Sequence, residues 1–220
     1  MVQSFELKRP TPRKMTGPDY ILNGPDDAPL TLVLAHGAGA PMDSDFMNWI
    51  AQGVVADGYR VVRFEFPYMA ERRDTGKKKP PNRLPILMET WNAVISDLGA
   101  ENIVVGGKSM GGRIASMAAD DAEVRGVVCL GYPFHPPGRP EKLRTEHLID
   151  LKTPALFCQG ERDPFGTKDE VPKFGISKNI QMHWAPDGDH GLKPRKKSGF
   201  TEEQNIAGAI DAICNFMKTV

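Results

Sequence analysis

Gly107-Lys108-Ser109-Met110-Gly111 spells G-x-S-x-G between an apolar run, Ile103 to Val105, and a helix-like stretch, Met110 to Ala119. A chain that leaves a buried parallel strand and turns at once into a helix strains its turning residue. Flanking glycines remove the side chains that would collide there. Such a turn lifts a hydroxyl above the sheet edge, beside helix N–H groups able to hold a developing oxyanion. With 7 Ser and 22 Gly in 220 residues, random placement gives about 0.07 such pentapeptides. The spacing points to nucleophilic chemistry at Ser109.

A serine attacks at neutral pH only when a base takes its proton and a third group orients that base. Asp163 follows the apolar run Ala155 to Gln159, and His190 follows the next one, Ile180 to Ala185. Parallel strands bring their C-terminal ends to one edge, so the order Ser109, Asp163, His190 lets the three converge. Glu161, Asp187 and Asp189 are competing acids. Asp189 adjoins His190 and would have to fold back on the ring, so Asp163 is preferred. His36-Gly37-Ala38-Gly39-Ala40 follows the strand-like Leu30 to Ala35. Its small residues let backbone N–H groups approach a substrate oxygen, which assigns oxyanion donors to Ala38 and Met110, with Gly39 next. His36 is read as structural.

The elements that must position these residues are short β-branched runs alternating with helical patterns, the signature of crossover connections and a mainly parallel sheet. Strands are expected at Leu30–Ala35, Tyr59–Phe66, Asn102–Gly106, Val124–Leu130, Ala155–Gln159 and Ile180–Ala185. Helices are expected at Asp45–Asp57, Leu84–Leu98, Met110–Ala119, Lys168–Phe174 and Thr201–Lys218. Thr201 and Gln204 form a capping-box pattern before the last helix. The Pro-rich segment up to Asn23 is expected to hold one or two antiparallel edge strands. The chain reads as a single domain, 1–220, with 1–29 as its N-terminal edge segment. About two dozen residues separate the strand ending near Leu130 from the one starting near Ala155, too few for a sizeable cap domain.

Composition narrows the function classes. The 28 basic residues balance 28 acidic ones, so no polyanion partner is implied and nucleic acid is not expected. Cys129, Cys158 and Cys214 lie far apart with no C-x-x-C pair, which fits reduced thiols in a cytoplasmic protein rather than a disulfide framework or zinc site. Met1 to Met15 lack the apolar stretch of a secretory signal, and no run approaches the length of a membrane span.

Tyr68, Tyr132, Phe134 and His135, with Leu143, Phe66 and Met69, are expected to line an open cleft together with Gly39. Lys77, Lys78, Lys79, Lys193, Arg195, Lys196 and Lys197 occupy loops near the same edge. They read first as solvated surface and second as attraction for an anionic acyl substrate. Gly107-Lys108-Ser109 also ends like a phosphate-binding G-x-x-x-x-G-K-S loop, but Asn102 stands where its first glycine belongs and Ile103 to Val105 read as strand.

With these residues in place, the chain resembles an α/β-hydrolase from about Leu30 onward. His36 to Pro41 and Gly131-Tyr132-Pro133-Phe134-His135-Pro136-Pro137-Gly138 are similar to a compact bacterial group related to the testis-expressed and chromatin-complex-regulatory hydrolase-like proteins. The resemblance implies an α/β fold with a sheet of about eight strands flanked by helices. It also implies ester-type hydrolysis. The expectation is a serine hydrolase acting on a small ester or thioester without cofactor or metal; a non-catalytic interaction protein on the same fold is the alternative.

Overall fold

The structure, a computed structural model, describes residues 17–220. Its centre is a sheet of seven strands among the described residues: β1 (Tyr20–Asn23), β2 (Thr31–Ala35), β3 (Arg60–Phe64), β4 (Ile103–Lys108), β5 (Gly126–Leu130), β6 (Ala155–Gly160) and β7 (Ile180–Ala185). They lie in the order β1-β3-β2-β4-β5-β6-β7. Only β1 runs antiparallel, pairing Tyr20 with Phe64 and Asn23 with Val61. The described residues thus supply seven of the expected eight or so strands. The N-terminal segment supplies one edge strand, and a second would fall on residues outside those described.

Among the described residues five α-helices cover the sheet: α1 (Asp45–Ala56), α2 (Pro67–Thr75), α3 (Leu84–Leu98), α4 (Met110–Ala122) and α5 (Glu202–Met217). Alternation along the strands feeds both faces. Val33, Val105, Val127 and Phe157 pack toward α3 and α4 with Trp91 and Ile114. Leu32, Val104, Val128 and Leu156 pack toward α1 and α5 with Ile50 and Ile213. The capping box forms at α5, Thr201 Oγ1 accepting from Gln204 N–H at 3.2 Å and Gln204 Oε1 from Thr201 N–H at 2.9 Å.

Two helices differ from expectation. α2 is not among the expected helices. Pro67 starts it and Gly76, at φ 70°, ends it, but only Tyr68 and Met69 are buried, so no apolar stripe marks it. Lys168–Phe174 is not an α-helix: Pro172 lies inside it, and only a 3₁₀ turn, Val171–Lys173, forms. Between β5 and β6 the chain makes a single 3₁₀ turn, Glu146–Leu148, and carries no cap domain.

Candidate active site

The tight turn at Ser109 follows from crowding around the end of β4. β4 lies between β2 and β5. A Cβ on Gly107 would sit 2.3 Å from Ala35 O, and one on Gly111 would sit 2.5 Å from the same oxygen. Only glycine lets β2, β4 and the first turn of α4 approach this closely. Ser109 takes up the turn at φ 51°, ψ −116°, a conformation that costs a non-glycine residue on the order of 1–3 kcal/mol. The surrounding sheet holds it there.

Ser109 Oγ lies 2.9 Å from His190 Nε2, and His190 Nδ1 lies 2.8 Å from Asp163 Oδ2. β4, β6 and β7 deliver the three residues from loops at their C-terminal ends. The ring's Nδ1–H donates to the carboxylate, leaving Nε2 free to accept from the serine hydroxyl. Asp163 is 0% exposed and the His190 side chain 25%, so the carboxylate is sealed while the ring edge meets solvent. Oδ2 of Asp163 also accepts from Gln159 Nε2 at 2.9 Å, and Oδ1 accepts from Phe165 N–H at 2.9 Å. The Phe165 ring lies over His190 with centroids 4.3 Å apart.

The competing acids are engaged elsewhere. Asp187 pairs with Arg195 and Arg162, Glu161 accepts from Lys168 and from Asp187 N–H, and Asp189 closes a turn on Gly191 N–H.

Opposite the serine, Ala38 lies in the loop after β2. Its position is set by His36, at the start of the same loop, and by side chains from other elements. His36 is buried; its Nδ1–H donates to Gly37 O at 2.6 Å and its Nε2 accepts from Phe66 N–H at 3.1 Å. Burial pushes its pKa below the ordinary histidine value, which keeps this neutral tautomer. The Tyr68 hydroxyl donates to Ala38 O at 3.1 Å and approaches Gly37 O at 3.3 Å, and Arg72 Nη1 donates to Gly39 O at 3.2 Å. Farther along the loop, Arg63 donates to Met42 O, and Arg73 bridges Asp43 and Glu65. Met110 is the first residue of α4, where helix N–H groups have no partner within the helix.

Two lobes meet at Ser109. One, of about 380 Å³, is walled by Leu84, Leu87, Met110, Ile114 and Pro133 and includes Arg113 and Arg144. The other, of about 480 Å³, includes Gly39, Phe46, Met47, Lys108 and His190. Ala38, Ser109 and Phe165 border both. The expected pocket aromatics are not among the lining residues. Tyr68, Tyr132, Phe134 and His135 are at most 3% exposed, and Phe66 and Met69 are buried with them. Gly131, at φ 67°, turns the chain after β5 inward, where Tyr132 stacks on Phe157 and Phe134 packs on Phe174. Leu143 is exposed outside both lobes. Of that set only Gly39 lines the cleft.

The basic loops also stand apart from the lining. Lys193 pairs with Glu202, Arg195 with Asp187 and Lys79 with Glu71, while Lys77, Lys78, Lys196 and Lys197 border neither lobe. Sequence reasoning missed Gln159, Phe165, Arg113 and Arg144. Of these only Arg113, one helical turn beyond Ser109, was within reach of a spacing argument.

Comparison with known proteins agrees with this architecture. A serine hydrolase homologue from Coxiella burnetii superposes with a TM-score of 0.67 at 17% identity, covering 89% of each chain. A lid-less α/β serine hydrolase of Xanthomonas campestris gives 0.67 at 17% identity over 93% of this chain and 92% of that one. The esterase domain of a Rhodothermus marinus protein gives 0.62 at 16% identity over 90% and 91%. Residues 28–218 match the model of the alpha/beta hydrolase domain, and the chain belongs to that family.

Proposed function

We propose that this protein is a serine hydrolase that cleaves a small ester or thioester through an acyl-enzyme intermediate. The observation that supports this most is the unbroken line of contacts from Ser109 Oγ through His190 to the sealed Asp163 carboxylate. Ser109 Oγ bonds to the acyl carbon as its proton passes to His190 Nε2. Asp163 holds the ring and stabilises the imidazolium. The tetrahedral oxyanion takes hydrogen bonds from the N–H groups of Ala38 and Met110. As the intermediate collapses, the bond to the leaving oxygen or sulfur breaks and His190 returns the proton to that atom. Water then attacks the acyl-serine with His190 as base, releasing the acid and restoring Ser109. Every proton and electron pair is accounted for with no cofactor or metal.

The test is a fluorophosphonate probe run beside hydrolysis of short p-nitrophenyl esters. The wild type is expected to label and turn over, and Ser109→Ala to do neither. Equal turnover by the wild type and a folded Ser109→Ala protein defeats the reading.

A further inference from the structure

Arg113 and Arg144 stand in the first lobe without a counter-charge. Among the described residues, no carboxylate lies within 4.0 Å of either guanidinium, whereas Arg60, Arg73, Arg162 and Arg195 each hold one. Arg113 Nε is buried and has no hydrogen-bond partner among the described residues. Burial, and after it the charge of Arg113, holds Arg144 below its ordinary pKa. Two half-buried cations in a mostly apolar pocket repel each other and leave forked donors unfilled, a cost that a bound anion would reverse.

The chemistry at His190 says which part of a substrate meets them. The ring must protonate the leaving atom, so the leaving group departs on the side where His190 is exposed. His190 borders the second lobe and not the first. The acyl group is therefore directed into the lobe of Arg113 and Arg144.

We infer that the enzyme acts on half-esters or half-thioesters of short dicarboxylic acids, with Arg113 and Arg144 binding the free carboxylate at the far end of the acyl chain. This rests on the serine-hydrolase reading above and names its substrate class. The step balances as before: the acyl–leaving-group bond breaks, water supplies the new hydroxyl, and a dicarboxylate and an alcohol or thiol leave. A lobe of about 380 Å³ fits a short chain.

The experiment compares kcat/KM for methyl glutarate and adipate half-esters with methyl butyrate and valerate, and inhibition of p-nitrophenyl acetate hydrolysis by glutarate with inhibition by butyrate. The wild type is expected to favour the half-esters by at least about ten-fold and to be inhibited more strongly by glutarate. In Arg113→Gln and Arg144→Gln that ratio should fall by roughly ten- to a hundred-fold each, the loss expected for a hydrogen bond to a charged group. Arg144→Lys should recover part of it. Lys193→Gln, on a surface loop, should leave the ratio where it was.

Ser109-dependent hydrolysis with no preference for the half-esters overturns this inference and leaves the serine-hydrolase reading standing. Absence of fluorophosphonate labelling and of any Ser109-dependent turnover defeats both. The two wild-type comparisons decide the matter even if an arginine variant fails to fold.

Discussion

The two halves of the candidate site are built by different physics. The serine turn is set by backbone crowding: Gly107 and Gly111 leave no room for another side chain beside Ala35 O, and the sheet around it holds Ser109 at φ 51°. The Ala38 loop is held by separate hydrogen bonds: its own His36 anchors it to Phe66 N–H, and Tyr68, Arg72 and Arg73 reach its carbonyls and its far end from α2. Close packing permits one arrangement or none, whereas a set of hydrogen bonds can be weakened one at a time. Damage on the serine side should therefore be abrupt, and damage on the loop side graded.

The largest effects test the first half of that contrast. His190→Ala should lower kcat by several powers of ten, leaving what binding and the oxyanion donors alone supply. Asp163→Asn should cost about ten thousand-fold. Oδ2 accepts from both Gln159 and His190 while Oδ1 accepts from Phe165 N–H, so an amide in either orientation sets one N–H against another. Pre-steady-state kinetics on an activated ester would measure both losses; a drop below a hundred-fold for His190→Ala would place the base elsewhere, and one for Asp163→Asn would place the orienting carboxylate elsewhere.

The same contrast explains what was legible in the amino-acid sequence. Ser109, Asp163 and His190 follow apolar runs whose alternation marks parallel strands, and their chain order did the rest. α3 lies at Leu84–Leu98, the limits its apolar spacing implies. The Ala38 loop was legible in place, through its small residues after β2, but its supports were not. Tyr68 and Arg72 lie on α2, which lacks an apolar stripe, and nothing in their local spacing aims them at Ala38 or Gly39. Tyr132 and Phe134 mark the same limit from the other side. An aromatic residue after a strand has equal claim to a cleft or a core, and here Gly131 turns both inward.

His36→Leu is the next largest effect. It deletes the acceptor of Phe66 N–H inside the core, which should cost about 1–3 kcal/mol of stability. As it loosens the Ala38 loop, kcat should fall by up to the two to three powers of ten that one oxyanion donor is worth. Its pH dependence has a definite sign. Burial lowers the folded pKa of His36, so between that value and the unfolded value of about 6.5 the unfolded chain binds more protons. Stability is complete above that window and is lost as the pH falls through it. His147, lowered to about 4 by burial, contributes with the same sign. Urea denaturation at stepped pH should show a shallower acid slope in His36→Leu. Tyr68→Phe should do less, because the loop keeps Arg72 and His36: a few-fold to about ten-fold in kcat, with KM little changed.

The smallest expected effect concerns Lys108, the variable residue of the serine motif, and separates strain in the turn from charge beside it. Its Nζ donates to His190 O at 2.6 Å and lies 5.5 Å from the Phe46 ring centroid. Burial lowers its pKa to about 8, against attraction from Asp163 and Asp189. As pH rises from about 8 toward 10 the native state gives up this proton before the unfolded chain does. Stability should therefore rise across that interval, by on the order of 1–2 kcal/mol. Above about pH 10 the buried tyrosines reverse the trend, because burial raises the pKa of Tyr68 and Tyr132 and favours the unfolded chain once phenolates form. Lys108→Met should flatten the rise and keep the reversal. If the variant instead keeps the full alkaline gain, the charge at this position is not what the fold is holding back, and the cost of the turn lies in the backbone of Ser109 alone.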